Sequence, residues 1–444
     1  MIGIHELRDV FLDFDRPGES LLNQTSLFLV LWSINPQTLQ YNWAIWAGFM
    51  LLWLVLVLFL TRGNAIAKFF QKSLWIIAVF PVWNLVMDLL GKGTLRDRQI
   101  SIALTLIIPW YFILYGRKRE MALIARIALA YLSFVALTTL VQYLTVPDIS
   151  RSLAGIERGV FLSSPLLANY HVIYETVPLL IILLWGLIEY PKGAKGLWGG
   201  LFLIQLLLVA FAGYHIARIT TLVVLTLTLA YAINCRAEGK RGLRVSEPSS
   251  LAGEHAPGTG LKHPGAVLKH PGAVLKHQFL LVLGAAAFYT IPAIVILFAE
   301  GFMDRVFLNL DLRIMDFWAR LVSRLRVYLE SVVLFQKYPL LGVSGQRDSW
   351  RYELGNHSDY FDTLAEYGLI GFLIFIVTAF LMYWLMIREL SGRHRVVYLM
   401  ALLSFHIIFL VNPVYDVSSG VMLFFIIPGL LFYFDAGKPK RTGP

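Results

Sequence analysis

The stretch NHSDYFDTLAEYGLIG, at 356–371, places one histidine and several acids directly before a strongly apolar run that begins at Gly368. An imidazole has an unperturbed pKa near neutrality, so His357 is a candidate general base for a hydroxyl group. Asn356 is predicted to cap a helix, with Asp359 at the third helical position as in a capping box. Exposed N–H groups in a first helical turn attract anions. The stretch therefore predicts combined anion binding and proton transfer, and a purely structural histidine is the alternative.

A cationic segment precedes this stretch, because residues 311–335 alternate polar and apolar side chains with helical periodicity. One face of this segment comprises Arg313, Asp316, Arg320, Arg324 and Val327. We expect such a helix to lie along a membrane–water boundary with its cations turned towards water or an anion, and contact with lipid headgroups is the alternative. Pro339 predicts the end of the helix, and Gly342 and Gly345 predict a turn after it.

Three further polar side chains lie where apolar segments begin. Arg218 lies near the start of one such segment, where a buried charge is costly and is a candidate functional group. An arginine that snorkels to the membrane surface is the alternative. Arg158 and Asn169 flank the start of another apolar segment. These groups are expected on one side of the membrane together with His357.

Transmembrane helices are the elements that position these groups. The chain has 444 residues, of which 58% are hydrophobic and 15% charged, and its mean hydropathy is +0.67. A soluble domain carries about 25% charged residues, and a helix needs roughly 20 apolar residues to cross a bilayer. Eleven spans are predicted at about 43–61, 74–90, 100–115, 122–146, 171–190, 198–213, 219–234, 278–299, 367–387, 397–413 and 417–434. A shorter run at 26–34 predicts a twelfth helix, so we expect an all-α polytopic membrane protein with about 12 spans.

The distribution of lysine and arginine predicts the orientation of the spans. One set of loops, which includes the segment 235–277, contains 21 of the 38 basic residues, and the positive-inside trend assigns that set to the cytoplasm. The opposite set includes a loop at 300–366, which is long enough to escape the trend. The chain is thus divided into residues 1–299, the outer loop 300–366, and residues 367–444, which contain the last three spans and a basic tail.

The predicted cytoplasmic loop contains an internal repeat. LKHPGAV occurs at 261–267 and 268–274 and begins again at 275–277. The Pro-Gly pair in each unit disfavours a helix that would bring the histidines together on a metal, so we interpret the loop as a flexible spacer. Cys235 is the only cysteine, which excludes an intramolecular disulfide. The net charge of +10 is attributed to basic loops rather than to nucleic-acid binding.

The opening stretch resembles a motif of the O-antigen ligase and polymerase superfamily of bacterial envelope glycosyltransferases. Ligases of that family carry His, then Asn, Ser or Gln, nine residues, Gly, two residues, and Gly, Thr or Tyr. His357 and Ser358, followed by Gly368 and Gly371, match every fixed position of the motif. The resemblance extends over about 150–390.

The upstream segment is similar to a second feature of the family, which is an arginine, an aromatic residue four positions later, and a PLLGVG-like turn. Arg324, Tyr328 and the sequence PLLGVSG from Pro339 reproduce that spacing, with Ser344 in place of a glycine. Family members also carry SRG near the start of a helix in the middle of the chain, and the corresponding ARI sequence retains only Arg218.

The resemblance implies a GT-C-like enzyme of the bacterial inner membrane with its active site facing the periplasm. It implies transfer of a glycan from an undecaprenyl-diphosphate carrier to a hydroxyl of lipid A–core or another glycan acceptor, with no cofactor and no metal. His357 is the implied base, and Arg324 and Arg218 are the implied clamps for the leaving diphosphate. The implied substrate-binding residues are Arg158, Asn169, Arg320, Arg326, Asp359 and Glu366.

Two alternatives remain open. An O-antigen or polysaccharide polymerase would pass the glycan to another carrier-linked unit instead of to lipid A–core. A transporter or flippase of lipid-linked sugars would need symmetry between its halves and charged residues near the middle of the bilayer. In each case the expected partners are glycolipids and membrane lipids, and no nucleic acid.

Overall fold

The computed structural model of the chain describes residues 4–13, 15–72, 75–91, 107–145, 170–189, 195–211, 215–245, 328–345, 358–412 and 417–436. Within these ranges the regular structure is helical and contains no strand. The helical composition agrees with the apolar runs, because a backbone in hydrocarbon must satisfy its hydrogen bonds within its own segment. The all-α prediction is confirmed for this part of the chain.

The helices are numbered in chain order. They are α1 (Ile4–Phe11), α2 (Pro17–Ser33), α3 (Pro36–Leu60), α4 (Asn64–Gln71), α5 (Ile76–Gly91), α6 (107–114), α7 (Lys118–Thr145), α8 (Tyr170–Glu189), α9 (Lys195–Phe211), α10 (His215–Val245), α11 (328–337), α12 (Asp359–Glu389), α13 (Gly392–Val411) and α14, which joins Val417–Val421, a π-helical segment Met422–Ile426 and Ile427–Ala436. A short 3₁₀ turn covers Val343–Gly345.

Six of the described helices are long and apolar enough to cross a membrane, and they lie within α7, α8, α10, α12, α13 and α14. The pair α3 and α4, bent by 94°, adds a seventh if it is counted as one span. These helices coincide with predicted spans, whereas α5 and α9 provide shorter apolar helices at two further predicted positions. The predicted span at 278–299 lies outside the described residues. The shorter run at 26–34 corresponds to the second half of α2, a 17-residue helix.

Ion pairs bring several helix ends together, and we call this group of helix ends the basic end. Lys118 at the start of α7 contacts Glu389 at the end of α12, with 2.9 Å between Nζ and Oε2. His394 near the start of α13 lies 3.0 Å from Glu189 at the end of α8 and 3.0 Å from Asp435 at the end of α14. The ion pairs place these helix ends on one side of the helices. The loops next to them in the sequence are among those predicted to be cytoplasmic.

The degree of burial differs sharply between α12 and α14. In an 18-residue apolar window, 94% of the residues are buried within Val417–Asp435, whereas only 33% are buried within Tyr360–Glu389. Helix α14 is therefore the central helix, and it packs against α7 where Gly429 approaches Ala125. Helix α12 presents a large apolar surface that includes Leu373, Val377 and Phe380. That surface is suited to contact with lipid.

The chain divides into two compact units, Met1–Thr221 with Ile314–Pro444, and Leu222–Arg313. Helix α10 contributes residues to both units and continues to Val245, beyond the predicted start of the cytoplasmic loop at residue 235. The LKHPGAV repeats lie outside the described residues. All contacts of the candidate site described below fall within the first unit.

Candidate functional site

The start of α12 is fixed by a serine cap. Ser358 is the N-cap, and its Oγ accepts a hydrogen bond of 3.3 Å from the backbone N–H of Phe361. The helix therefore begins at Asp359, and its cap lies two residues later than the predicted cap at Asn356. The prediction failed because both residue types favour N-caps, and the choice between them depends on tertiary contacts. His357 directly precedes the cap in the sequence.

Asp362 accepts the hydrogen bond from the backbone N–H of the capping residue, a role that the predicted capping box gave to Asp359. The backbone N–H of Ser358 donates to Asp362 Oδ2 at 3.2 Å, and the hydroxyl of Ser331 on α11 donates to Asp362 Oδ1 at 2.9 Å. One carboxylate therefore holds the start of α12 and also binds α11. Ser331 and Ser358 are fully buried, which shields both hydrogen bonds from competition by water.

An aromatic contact reinforces this connection between α11 and α12. The rings of Tyr328 and Phe361 are stacked, with centroids 5.4 Å apart and planes inclined by 30°. We call Tyr328, Ser331, Ser358, Phe361 and Asp362 the capping cluster. It joins the segment that follows Arg324 to the segment that follows His357, although the two are well separated in the sequence.

The turn after α11 packs backbone to backbone against a kink in α12. Gly342 and Gly368 both have a φ of +65°, and Gly368 interrupts the helical conformation of α12. The N–H of Leu369 donates to the carbonyl of Pro339 at 2.8 Å, and that of Ile370 to the carbonyl of Leu340 at 3.2 Å. We call this contact the glycine junction.

Neither glycine of the junction leaves room for a side chain. A Cβ on Gly342 would lie 2.5 Å from the backbone nitrogen of Gly368, and a Cβ on Gly368 would lie 2.5 Å from that of Gly342. The conformation and the space both require glycine at these positions. The turn at Pro339 and the motif glycine Gly368, which the sequence analysis treated separately, are thus two sides of one contact.

Gly371, the last fixed position of the motif, allows α5 to approach α12. A Cβ at this position would lie 2.6 Å from the indole nitrogen of Trp83. Phe80 packs nearby against Tyr367 and Phe375, with ring centroids 6.0 and 5.0 Å apart. The 3₁₀ turn at Val343–Gly345 also contacts α5 and α12. The spacing of the two glycines therefore has a packing explanation, because each accommodates a different neighbour.

A second histidine, which the sequence did not single out, lies beside the first turn of α12. The hydroxyl of Tyr360 and Nδ1 of His406 on α13 are 2.5 Å apart and share a hydrogen bond. The ring of Tyr383 packs nearly perpendicular to the same imidazole, at a centroid distance of 5.3 Å. This hydrogen bond ties α13 to the turn that follows the capping serine.

Arg218 and Glu366 are the predicted site residues whose side chains the structure describes. The guanidinium of Arg218, on the first turn of α10, donates from Nη2 to the carbonyl of Ala210 in the last turn of α9. This bond satisfies a carbonyl that the end of α9 would otherwise leave without an intrahelical partner. Glu366 is 7% exposed, and its backbone carbonyl belongs to the glycine junction. Asp359 is described as the first residue of α12.

The other predicted site residues lie outside the described residues. They are His357, Arg324, Arg320, Arg326, Arg158 and Asn169. The structure thus describes the segments that adjoin His357 and Arg324 and brings those segments together in the capping cluster. Among the described residues, no group of three or more His, Cys, Asp or Glu side chains is arranged to hold a metal ion.

A buried acid within a span was missed from the sequence. Glu175 on α8 is only 1% exposed, and the hydroxyl of Ser418 at the start of α14 donates to its Oε1. The adjacent Thr176 donates to Gln205 on α9 at 3.3 Å. A carboxyl group inside a membrane span is costly and is a functional candidate by default. The signal was available, because Glu175 is an acid within the apolar run at 171–190.

Comparison with known proteins adds no assignment: no protein-family model matches this chain, and no curated protein is significantly similar to it.

Proposed function

We propose that this protein is a membrane glycosyltransferase that moves a glycan from undecaprenyl diphosphate to an acceptor hydroxyl at the periplasmic face. The observation that carries the proposal is the glycine junction. The PLLGVSG turn and Gly368 belong to two of the segments that resemble O-antigen ligases, and their backbones are in direct contact. A physical contact between both parts supports their assignment to a single site.

The capping cluster supports the assignment of two chemical groups from different segments to this site. On the predicted helix 311–335, Arg324 stands one turn before Tyr328, whose ring stacks on Phe361. His357 stands one residue before the capping Ser358. In the proposed reaction, Arg324 clamps the diphosphate of the donor, and His357 accepts the proton of the attacking hydroxyl. The oxygen of the acceptor bonds to the anomeric carbon as the bond to the carrier diphosphate breaks.

Arg218 is proposed as the second clamp, with Arg158, Asn169, Arg320 and Arg326 as substrate contacts. The guanidinium of Arg218 donates to Ala210 at the end of α9, and in the proposed reaction the same group binds phosphate oxygens of the donor. Asp359 and Glu366 are assigned as orienting groups or substitute bases. The apolar surface of α12 provides a place for the polyprenyl chain next to the reacting diphosphate.

The proposed architecture is a GT-C-like arrangement of about 12 spans in the bacterial inner membrane. The proposed acceptor is lipid A–core, as in an O-antigen ligase. A polymerase is the alternative within the same chemistry. Deletion of the gene distinguishes them: loss of a ligase leaves unligated carrier-linked polymer, and loss of a polymerase leaves single carrier-linked repeat units.

The central experiment is transfer by purified protein, with a defined undecaprenyl-diphosphate-linked glycan as donor and either lipid A–core or a second carrier-linked unit as acceptor. His357→Ala is expected to lower the rate by about 10²–10⁴-fold, and Arg324→Ala by roughly 10²–10³-fold. His5→Ala and Arg393→Ala are matched controls, because both residues are exposed and lie outside the proposed site. Full activity of both site variants would overturn these roles.

A transporter of lipid-linked sugars is the second candidate, and Glu175 favours it. A buried acid within a span is a feature of proton-coupled carriers. Glu175→Gln retains the shape of the side chain and removes its capacity to ionise. In reconstituted vesicles, a flippase would lose lipid translocation in this variant, and wild-type protein would show translocation without glycan transfer.

A further inference from the structure

We propose that α4 is a surface-lying helix that binds anionic phospholipid headgroups at the basic end of the protein. This inference does not depend on the proposed enzymatic activity. It rests on the geometry of the corner between α3 and α4, on the exposure of the α4 side chains, and on their charge.

The corner is a defined structure. Helix α3 ends where the N–H of Thr61 donates to Val57 at 3.0 Å, and the N–H of Gly63 donates to Leu58 at 3.0 Å. Arg62 has a φ of 49° and Gly63 a φ of 75°, so two consecutive residues adopt the left-handed conformation. A non-glycine residue adopts this conformation only at an energetic cost. The resulting angle of 94° lays α4 along the membrane plane if Ala44–Leu60 crosses the bilayer.

The two sides of α4 have different surroundings. Ile66 and Phe70, one turn apart, are 53% and 60% exposed. Lys68, in contrast, points towards the protein, where its ammonium group lies 4.1 Å from the centre of the Tyr115 ring. No residue of α4 is buried. A short helix with two large apolar side chains on its outer side has low stability in water. Such a helix is suited to the boundary between headgroups and acyl chains.

The charges around α4 favour lipids with anionic headgroups. Residues 61–72 include Arg62, Lys68 and Lys72 and no acidic residue. Arg62 and Lys72 are exposed and lie at the two ends of the helix. Tyr115, against which Lys68 packs, is followed by the basic sequence at 117–119, where Lys118 contacts the end of α12. Two exposed cations beside an apolar contact face complement a bilayer surface that carries anionic headgroups.

Native mass spectrometry can count the lipids that the full-length protein retains from vesicles of phosphatidylglycerol and phosphatidylcholine. The variant Arg62→Gln/Lys72→Gln is expected to retain fewer phosphatidylglycerol molecules than wild type, since each Lys or Arg near a bilayer surface adds to the attraction of anionic headgroups. The control variant Arg16→Gln/Arg393→Gln removes the same charge from exposed sites outside α4 and should retain the wild-type number. Equal retention by both variants would overturn the proposal.

A second measurement locates the helix. Ile66→Cys in a Cys235→Ser background can be labelled with an environment-sensitive fluorophore and reconstituted in the same vesicles. Lipids with quenchers on the upper acyl chain should quench the label strongly, whereas a water-soluble quencher should not. The opposite pattern would place α4 in water and overturn the proposal. Displacement of phosphatidylglycerol by millimolar inorganic phosphate would indicate a free-anion site instead of a bilayer contact and would also overturn it.

Discussion

Asp362 joins two segments that are distant in sequence through two hydrogen bonds to one carboxylate. Its oxygens accept from the Ser331 hydroxyl at 2.9 Å and from the Ser358 N–H at 3.2 Å. Hydrogen bonds to a charged group contribute about 1.5–3 kcal/mol each when they are shielded from water. In the proposed mechanism, this carboxylate keeps the Arg324 segment beside the His357 segment.

We predict that Asp362→Ala lowers the rate of glycan transfer by at least about ten-fold, because a small displacement of aligned groups has a cost of this order. The KM for the donor should change much less than kcat. Asp362→Asn retains one acceptor oxygen and should recover part of the rate. Steady-state kinetics with the purified protein give both parameters.

The control for Asp362→Ala is Glu389→Ala, at the other end of the same helix. Glu389 forms an ion pair at the surface with Lys118, and such pairs contribute about 0–1 kcal/mol. Its removal should leave kcat unchanged. An equal loss of rate in both variants would indicate general destabilisation of α12 and contradict a positioning role for Asp362.

Arg218 has a described structural contact as well as a proposed catalytic role, and Arg218→Lys separates the two. Lysine can still donate one hydrogen bond to the carbonyl of Ala210, but it lacks the planar pair of donors that binds a phosphate in bidentate fashion. We predict near-normal thermal stability and a decrease in kcat of roughly 10-fold or more. Wild-type activity in Arg218→Lys would restrict Arg218 to capping α9.

At the scale of the helix, the glycine junction determines where α12 bends. Hydrogen bonds from Leu369 and Ile370 to the turn at Pro339 and Leu340 replace bonds that a straight helix would make internally. The short 3₁₀ turn at Val343–Gly345 then contacts α5 and α12. The kink therefore connects three elements rather than only weakening one.

We predict that Gly368→Ala destabilises the protein. The left-handed conformation costs a non-glycine residue roughly 1–2 kcal/mol, and the added methyl group overpacks the junction at a further cost of about 1–3 kcal/mol. Gly48→Ala is the matched control, since nothing lies within 4 Å of a Cβ at that position in α3. Thermal unfolding in detergent should show a Tm below that of wild type for Gly368→Ala and no such decrease for Gly48→Ala.

At the scale of the whole molecule, the ion pairs at the basic end group helix termini that lie far apart in the sequence. Glu189, Glu389 and Asp435 each end a different helix and contact residues near the start of α7 or α13. The capping cluster lies at the opposite end of α12. Helices α7 and α13 therefore run in the opposite direction to α8, α12 and α14.

Cysteine labelling tests the predicted orientation. In a Cys235→Ser background, cysteine in place of the exposed Leu340 should react with a membrane-impermeant maleimide applied to spheroplasts. Cysteine in place of the exposed Ser391, at the basic end, should react only after permeabilisation. The reverse result would place the proposed site on the cytoplasmic side, where the proposed periplasmic reaction does not occur.

Several features of the protein followed from the sequence alone. Apolar runs predicted the positions of the long helices, because insertion into a bilayer depends on the summed polarity of one continuous segment. Lysine and arginine predicted which helix ends lie together. Pro339 predicted the end of α11, which the structure places at residue 337, since proline cannot continue a helix. These signals are local, so they require no knowledge of neighbouring segments.

Other features were decided by the tertiary structure. Ser358 rather than Asn356 caps α12, and Asp362 rather than Asp359 supplies the reciprocal bond, because Ser331 on another helix binds the same carboxylate. The need for glycine at 342 and 368 becomes evident only when the two backbones are in contact. Such choices depend on groups that are distant in the chain and close in space, and a sequence pattern does not record those distances.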